Sequence, residues 1–148
     1  LADRHDEVLA VYRERFRDLA GLEAAFGANL ESRELIPIAA AQRALGQDEA
    51  LAETLAHWGQ RLAFLREQGY AVSSFRAAEA AHLALSGERQ AALGALTDAI
   101  DLGYRDPLLA RAPAFAELAD DPDFQAQVER MIELINVERA KLGMEPLP

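Results

Sequence analysis

The chain has 148 residues, of which 51% are hydrophobic and 27% are charged, so it can bury a core and is not disordered by composition. Its formal net charge of −10 excludes sequence-independent nucleic-acid binding, which needs a basic surface. It has no cysteine, which excludes disulfides and zinc–thiolate sites, and no apolar run approaches the ~20 residues that cross a membrane.

The composition favours an all-α fold, because 31 alanines face only 12 β-branched residues and alanine is the best helix former. The first helix is predicted over residues 3–20, with Gly21 weakening its end and Gly27 closing the region. Its apolar face recurs at steps of three and four residues. The members of this face are Leu9, Tyr12, Phe16 and Leu19.

The second and third helices are predicted on either side of Gly46, which supplies a stop. The second runs from Ser32 to Leu45. Pro37 is tolerated in a first turn, so either the regular part starts near Leu35 or the helix kinks at the proline. The third begins at Asp48 as its N-cap and has the most regular apolar line. That line is Leu51, Leu55, Trp58, Leu62 and Leu65.

The fourth helix is predicted to begin after Ser73 or Ser74 as its cap, and to end at Gly87. The fifth follows from Glu88 to Leu102. Its inward positions are Ala92, Leu96, Ala99 and Ile100.

Two prolines break the stretch 104–120, which predicts two one-turn helices. The last helix begins at Asp121 as its N-cap, with Pro122 in the first helical position. Its predicted buried line is Phe124, Val128, Met131, Ile135 and Leu142.

Two stretches share one plan, in which an alanine-rich helix, a glycine turn and a second amphipathic helix follow each other. The turn glycines, Gly46 and Gly87, lie 41 residues apart. Helical pairs of this kind cannot bury their apolar faces alone and stack on their neighbours.

The second pair resembles a tetratricopeptide repeat (TPR). The small and large residues that the family places three apart in its first helix match Ala80 and Leu83. The small, large and small residues of the family's second helix match Ala92, Leu96 and Ala99. The spacing of 41 exceeds the usual 34 of the family, so the array is a divergent TPR or another α-solenoid.

The end of the chain resembles the closing segment of many bacterial TPR domains. The runs that carry this resemblance are 99–104, 113–118 and 121–125. The second pair departs from the TPR pattern at Arg76 and Glu79, where large apolar residues are usual.

The resemblance implies an all-α fold of antiparallel helical hairpins, stacked as a TPR-like α-solenoid with a C-terminal capping helix. Residues 1–148 would form a single TPR-like domain. Its parts would be a leading helix over 1–30, a first helical pair over 31–70, a second pair over 71–106, and a capping segment with the C-terminal helix over 107–148.

Such segments often lie in bacterial multidomain signalling proteins, such as membrane-linked winged-helix regulators, nucleotide cyclases and protein kinases. The resemblance therefore implies a non-catalytic protein–protein interaction or sensory domain of a larger regulatory protein. It implies a protein or peptide partner, with no cofactor and no contact with nucleic acid or membrane by this segment. We expect a cytoplasmic location, or a periplasmic one within a membrane-linked regulator.

In this family the first helix of each pair lines a concave groove. Carried over by register, the groove positions are Arg33, Ile36, Ala40 and Arg43 from the first pair, and Ser74, Ala77, Ala81 and Leu85 from the second. An apolar floor with arginines at one side suits an extended or helical segment whose acidic groups the two arginines hold bidentately. The alternative is that the last helix folds into the groove and fills it.

The sequence offers no catalytic constellation, so we predict that the chain is not an enzyme and holds no metal. Glu53 with His57, and Glu79 with His82, place metal-capable groups on one helix face. Di-iron chemistry needs two Glu-x-x-His motifs and two further glutamates, and only one such motif is present. There is no Gly-x-Ser-x-Gly elbow and no glycine-rich phosphate loop.

Three rival functions stay open. A small-ligand receptor would enclose a pocket near Trp58, His57 and His82, although Trp58 lies on a continuous core line. A self-association module would form a homodimer through an exposed repeat end. A metal-binding or enzymatic bundle would need converging acids and imidazoles.

Overall fold

The protein is described by a computed structural model that covers residues 4–27 and 32–147. Every regular element in these ranges is a helix, which confirms the all-α class. The chain divides into two compact units, Leu1–Gly69 and Tyr70–Pro148, which we call the first and second units. This boundary lies within one residue of the predicted division between the two helical pairs. The prediction of a single domain over 1–148 stays a prediction.

The first unit contains the helices α1 (His5–Phe16), α2 (Leu19–Phe26), α3 (Ser32–Ala44) and α4 (Asp48–Glu67). Helix α1 packs against α2 and α3, and α3 packs against α4. Its largest fully buried side chains are Leu9, Leu22, Leu35 and Trp58.

The single helix predicted over residues 3–20 is wrong, because the chain breaks between α1 and α2. Arg17 adopts a positive φ of 69°, and the side chain of Asp18 then caps α2 by accepting from the amide of Gly21 at 2.9 Å. Gly21 permits this junction, since an alanine Cβ at its position would lie 1.9 Å from the carbonyl oxygen of Phe16.

Helices α3 and α4 form an antiparallel hairpin close to the predicted bounds. Helix α3 begins at Ser32 and contains Pro37, so the alternative in which its regular part starts near Leu35 is wrong. Helix α4 begins at Asp48, with Gln47 rather than Asp48 in the cap position.

The second unit contains α5 (Ser73–Leu85), α6 (Arg89–Asp101), and α7 (Pro122–Lys141). Between α6 and α7 lie two short 3-10 helices, Leu109–Arg111 and Pro113–Leu118, as predicted from the two prolines. Helix α5 packs against α6 and the second short helix, whereas α7 packs against α6 and the first.

The predicted core of the second unit is confirmed for α6 and in part for α7. All four inward positions of α6 are fully buried, as are Phe124 and Met131 of α7. Leu142 is 75% exposed and lies just after α7 ends at Lys141, so its predicted burial is wrong. The predicted serine cap of α5 is wrong: Val72 occupies the cap position, so Ser73 is already helical.

The two hairpins share one local structure at an offset of 41 residues. Helices α3 and α5 both have 13 residues, and both begin at a serine. Gly46 and Gly87 adopt positive φ values of 64° and 80°, which glycine reaches without a steric penalty. Each turn has the same three backbone hydrogen bonds. In the first turn the amides of residues 45, 46 and 47 donate to the carbonyls of residues 41, 43 and 42, respectively. In the second turn the amides of residues 86, 87 and 88 donate to the carbonyls of residues 82, 84 and 83.

Candidate functional site

The four candidate groove residues of α3 lie along one stripe of the helix. At ~100° per residue their positions fall within an arc of about 80°, and Arg33 and Arg43 are separated by about 15 Å along the axis. The side chain of Arg33 is 74% exposed, whereas Ile36 and Arg43 are half-buried and Ala40 is buried. The stripe therefore has a cation at its N-terminal end and a small apolar floor.

Arg33 already contacts an acid of its own helix. Its Nε donates to Oε1 of Glu34 at 2.5 Å, and the Glu34 side chain is only 16% exposed. An acidic group of a partner that binds Arg33 therefore has to share or replace this carboxylate.

The four candidate residues of α5 also share one stripe, but most of them are covered. Ala77, Ala81 and Leu85 are buried, and Ser74 is the exposed member. The structure thus places each set of four along its own helix, one set in each unit. That the two sets line one groove stays a prediction.

The two residues of the second hairpin that depart from the TPR pattern contact each other. Arg76 Nη1 donates to Glu79 Oε2 at 2.8 Å, and the Glu79 side chain is only 3% exposed. At the offset of 41, these positions correspond to Leu35 and Ile38, which are buried apolar residues in the first hairpin. The second hairpin therefore replaces an apolar pair with an ion pair, and the spacing of three residues was the signal in the sequence.

Trp58 serves as a core residue, as predicted. Its side chain has no exposed surface, and its Nε1 donates to Oγ of Ser32 at 3.0 Å. This hydrogen bond joins α4 to the first residue of α3. The indole is accordingly held inside the first unit rather than presented as a platform for a ligand.

In each predicted metal-capable pair, one member contacts a residue outside that pair. His57 Nδ1 lies 3.2 Å from Oε1 of Glu23 on α2, and Glu79 contacts Arg76. Within residues 4–27 and 32–147, no group of three or more His, Cys, Asp or Glu side chains is arranged to hold a metal ion.

The segment after α6, which carries part of the TPR resemblance, is organised by its own polar side chains. Tyr104 donates to Oδ2 of Asp106 at 3.2 Å, and Asp106 Oδ1 accepts from the amide of Leu108 at 2.9 Å. Arg105 donates to the carbonyl of Ile100 at 2.8 Å. Burial, followed by the charge of Asp106, raises the pKa of Tyr104 to about 12. These residues fix the loop that leads to the short 3-10 helices.

A second ion cluster joins the beginning of α6 to the beginning of α7. Arg89 Nη2 donates to Oδ1 of Asp121 at 2.8 Å and to Oδ2 of Asp123 at 2.7 Å, and its Nε donates to Asp121 as well. Asp121 also caps α7 by accepting from the amides of Asp123 and Phe124, as predicted. The hydrogen bond from Arg89 lowers the pKa of Asp121.

Because the pKa of Asp121 is lowered, we expect the second unit to lose stability as the pH falls. A carboxylate with a pKa below its unfolded value stabilises the fold above about pH 4, and this contribution is lost as the pH falls. Asp121→Asn keeps a capping oxygen but removes the charge that Arg89 contacts. Urea unfolding between pH 2.5 and pH 7, followed by circular dichroism, should therefore show a shallower loss of stability in this variant. The control is Asp120→Asn, which removes one negative charge from the exposed neighbouring residue. If the free energy of unfolding falls equally steeply with decreasing pH in wild type and in Asp121→Asn, the prediction is wrong.

No family model matches the chain, and no match was found among curated proteins or among solved structures. In the part of the chain that the structure describes, no helix combines the length and the apolar character that a membrane crossing requires.

Proposed function

We propose that the chain is a non-catalytic, TPR-like interaction domain of a larger regulatory protein, which binds a segment of a partner protein along the first helices of its hairpins. The observation that carries this proposal is the duplicated hairpin. Two 13-residue helices at an offset of 41 each end in the same glycine turn, with the same three backbone hydrogen bonds. Repeated helical pairs commonly present binding surfaces rather than catalytic centres.

The two arginines of the α3 stripe suggest the chemistry of the partner segment. Arginine holds carboxylates bidentately, and Arg33 and Arg43 are about 15 Å apart along α3. An extended peptide spans that distance in four to five residues, at about 3.3 Å per residue. The proposed ligand is therefore a segment with two acidic groups at that separation, and the acid nearer the start of α3 takes the place of Glu34.

Site-specific photo-crosslinking in the intact parent protein tests the proposal. A photoreactive benzoylphenylalanine is placed at Ile36 on the α3 stripe or at the exposed Ser74 on α5, so that Arg33 and Arg43 stay intact. The matched control is Phe64 on α4, which is 51% exposed and differs from the probe only by the benzoyl group. We expect a crosslinked species of one defined mass from positions 36 and 74, and none from position 64.

Charge reversal then tests the proposed role of the arginines. With the probe at position 36, Arg43→Glu should lower the crosslinking yield about tenfold, because it places a like charge against the partner's acid. Arg66→Glu, an exposed change on α4, should leave the yield unchanged. Equal crosslinking from all three probe positions, or a crosslinking yield that Arg43→Glu leaves unchanged, would count against the proposed surface.

A further inference from the structure

The chain folds back on α7 after this helix ends, through a stretch that we call the return segment (Gly143–Leu147). Gly143 adopts a φ of 67°, and the amide of Met144 donates to the carbonyl of Arg139 at 3.0 Å, which reverses the chain. The segment then runs back beside the last turns of α7.

Two side chains of α7 hold the main chain of the return segment. Asn136 contacts Leu147 twice: its Oδ1 accepts from the Leu147 amide at 2.7 Å, and its Nδ2 donates to the Leu147 carbonyl at 3.2 Å. Arg139 Nε donates to the carbonyl of Glu145 at 2.7 Å. The side-chain amide of Asn136 thus pairs with both the N–H and the C=O of Leu147, as the backbone of an adjacent β-strand does at the edge of a sheet.

These contacts recognise main-chain atoms of the bound segment, so they depend on its backbone conformation more than on its side chains. Met144, Glu145 and Pro146 are exposed, and Leu147 is half-buried. Leu147 lies between two prolines in the sequence, which lack an amide hydrogen and favour an extended conformation. Any extended segment that offers an amide and carbonyl at one residue, and a carbonyl two residues earlier, meets the same three contacts.

The part of α7 under this segment is not otherwise a core element. Within Ile132–Lys141 no residue is buried, although the stretch contains several apolar side chains. These are Ile132, Leu134, Ile135 and Val137. The helix is anchored before this stretch by Phe124 and Met131, so release of the return segment leaves that anchor in place.

From this geometry we infer that the face of α7 with Asn136 and Arg139 is a second binding surface, which takes an extended proline-flanked segment of another protein. The return segment is its intramolecular occupant and competes with that ligand. This surface is separate from the one proposed on α3 and α5. Because an attached segment acts at an effective concentration in the millimolar range, a free ligand binds well only when the return segment leaves.

The test uses the full chain and the synthetic peptide Gly-Met-Glu-Pro-Leu-Pro with blocked ends. Leu147→Pro removes the amide that Asn136 accepts from, and so weakens the hold of α7 on the return segment without shortening the chain. Titration of the isotope-labelled protein, followed by backbone amide shifts in α7, should show binding to this variant at least about tenfold tighter than to wild type. The peptide Gly-Met-Glu-Pro-Pro-Pro, which lacks the same amide, should not bind.

Asn136→Asp provides the second arm, because it keeps the size of the side chain but replaces the Nδ2 donor with an acceptor. Combined with Leu147→Pro, it should abolish the shifts caused by the peptide. Equal binding with and without Asn136, or no binding to the Leu147→Pro chain, would overturn the inference. Dimers that form by exchange of the return segment would assign the face to a second copy of the chain and would overturn the proposed separate partner.

Discussion

Replacing Gly21 with alanine is expected to destabilise the first unit by about 3 kcal/mol, at the upper end of what an overpacked site usually costs. The added Cβ would lie 1.9 Å from the carbonyl oxygen of Phe16, and this atom belongs to the backbone. A flexible side chain could move away, but here the junction between α1 and α2 has to open. Opening it also removes the capping contact between Asp18 and the amide of Gly21.

Urea unfolding followed by tryptophan fluorescence measures this effect, because the chain has one tryptophan, Trp58, buried in the first unit. The control is Gly94→Ala in α6. Apart from its two chain neighbours and the helix's own nearby backbone, no described atom lies within 4 Å of the added Cβ there. Alanine should stabilise that exposed helical position by about 0.5–1 kcal/mol, as seen by circular dichroism. A neutral or stabilising Gly21→Ala would contradict the described junction.

Removing one member of the Arg76–Glu79 pair is expected to cost about 3 kcal/mol in the second unit. Arg76→Leu removes the cation that contacts the Glu79 carboxylate, and the Glu79 side chain is only 3% exposed. Losing one partner of a buried ion pair is strongly destabilising. Glu79→Ile should cost less, since the Arg76 side chain is 33% exposed and can be hydrated.

The double variant Arg76→Leu/Glu79→Ile should recover most of the loss. It transfers the apolar residues found at the equivalent positions of the first hairpin, Leu35 and Ile38, to the second. Well-packed apolar replacements of a buried ion pair are often neutral or stabilising. A double-mutant cycle by urea unfolding should therefore give a coupling energy of about 2 kcal/mol or more. Additive losses in the double variant would show that the pair contributes nothing jointly.

Local chemistry made the beginning of α7 and the hairpin turns predictable from the sequence. Asp121 followed by Pro122 joins a strong cap to the residue best suited to the first helical position. Gly46 and Gly87 end helices because glycine adopts the positive φ that the turn requires. Each of these features depends on a few neighbouring residues.

Features that depend on distant contacts were not predictable in the same way. Nothing in the residue type of Arg17 indicates a positive φ, and the only signal was Asp18 three residues before Gly21. The spacing of Arg76 and Glu79 allows an ion pair, but its burial depends on elements that pack around α5. The contact of Asn136 with Leu147 spans 11 residues and requires the chain to reverse after α7.

The candidate binding residues were carried over by register from the TPR family, and this register stays a prediction. The structure shows that much of the α5 set is covered. Ala77, Ala81 and Leu85 are buried, so the accessible surface is concentrated on Arg33, Ile36 and Arg43 of α3 and on Ser74. The proposed surface is therefore more polar than the predicted apolar floor.

The measurement that tests the proposed interaction domain most directly is backbone amide shift mapping of the isotope-labelled chain with the partner captured by the crosslinking experiment. The proposal predicts that the largest shifts lie in Ser32–Ala44 and at the beginning of Ser73–Leu85, and that Arg43→Glu weakens them together. Shifts confined to Asp48–Glu67 and Arg89–Asp101, the second helices of the hairpins, would contradict it.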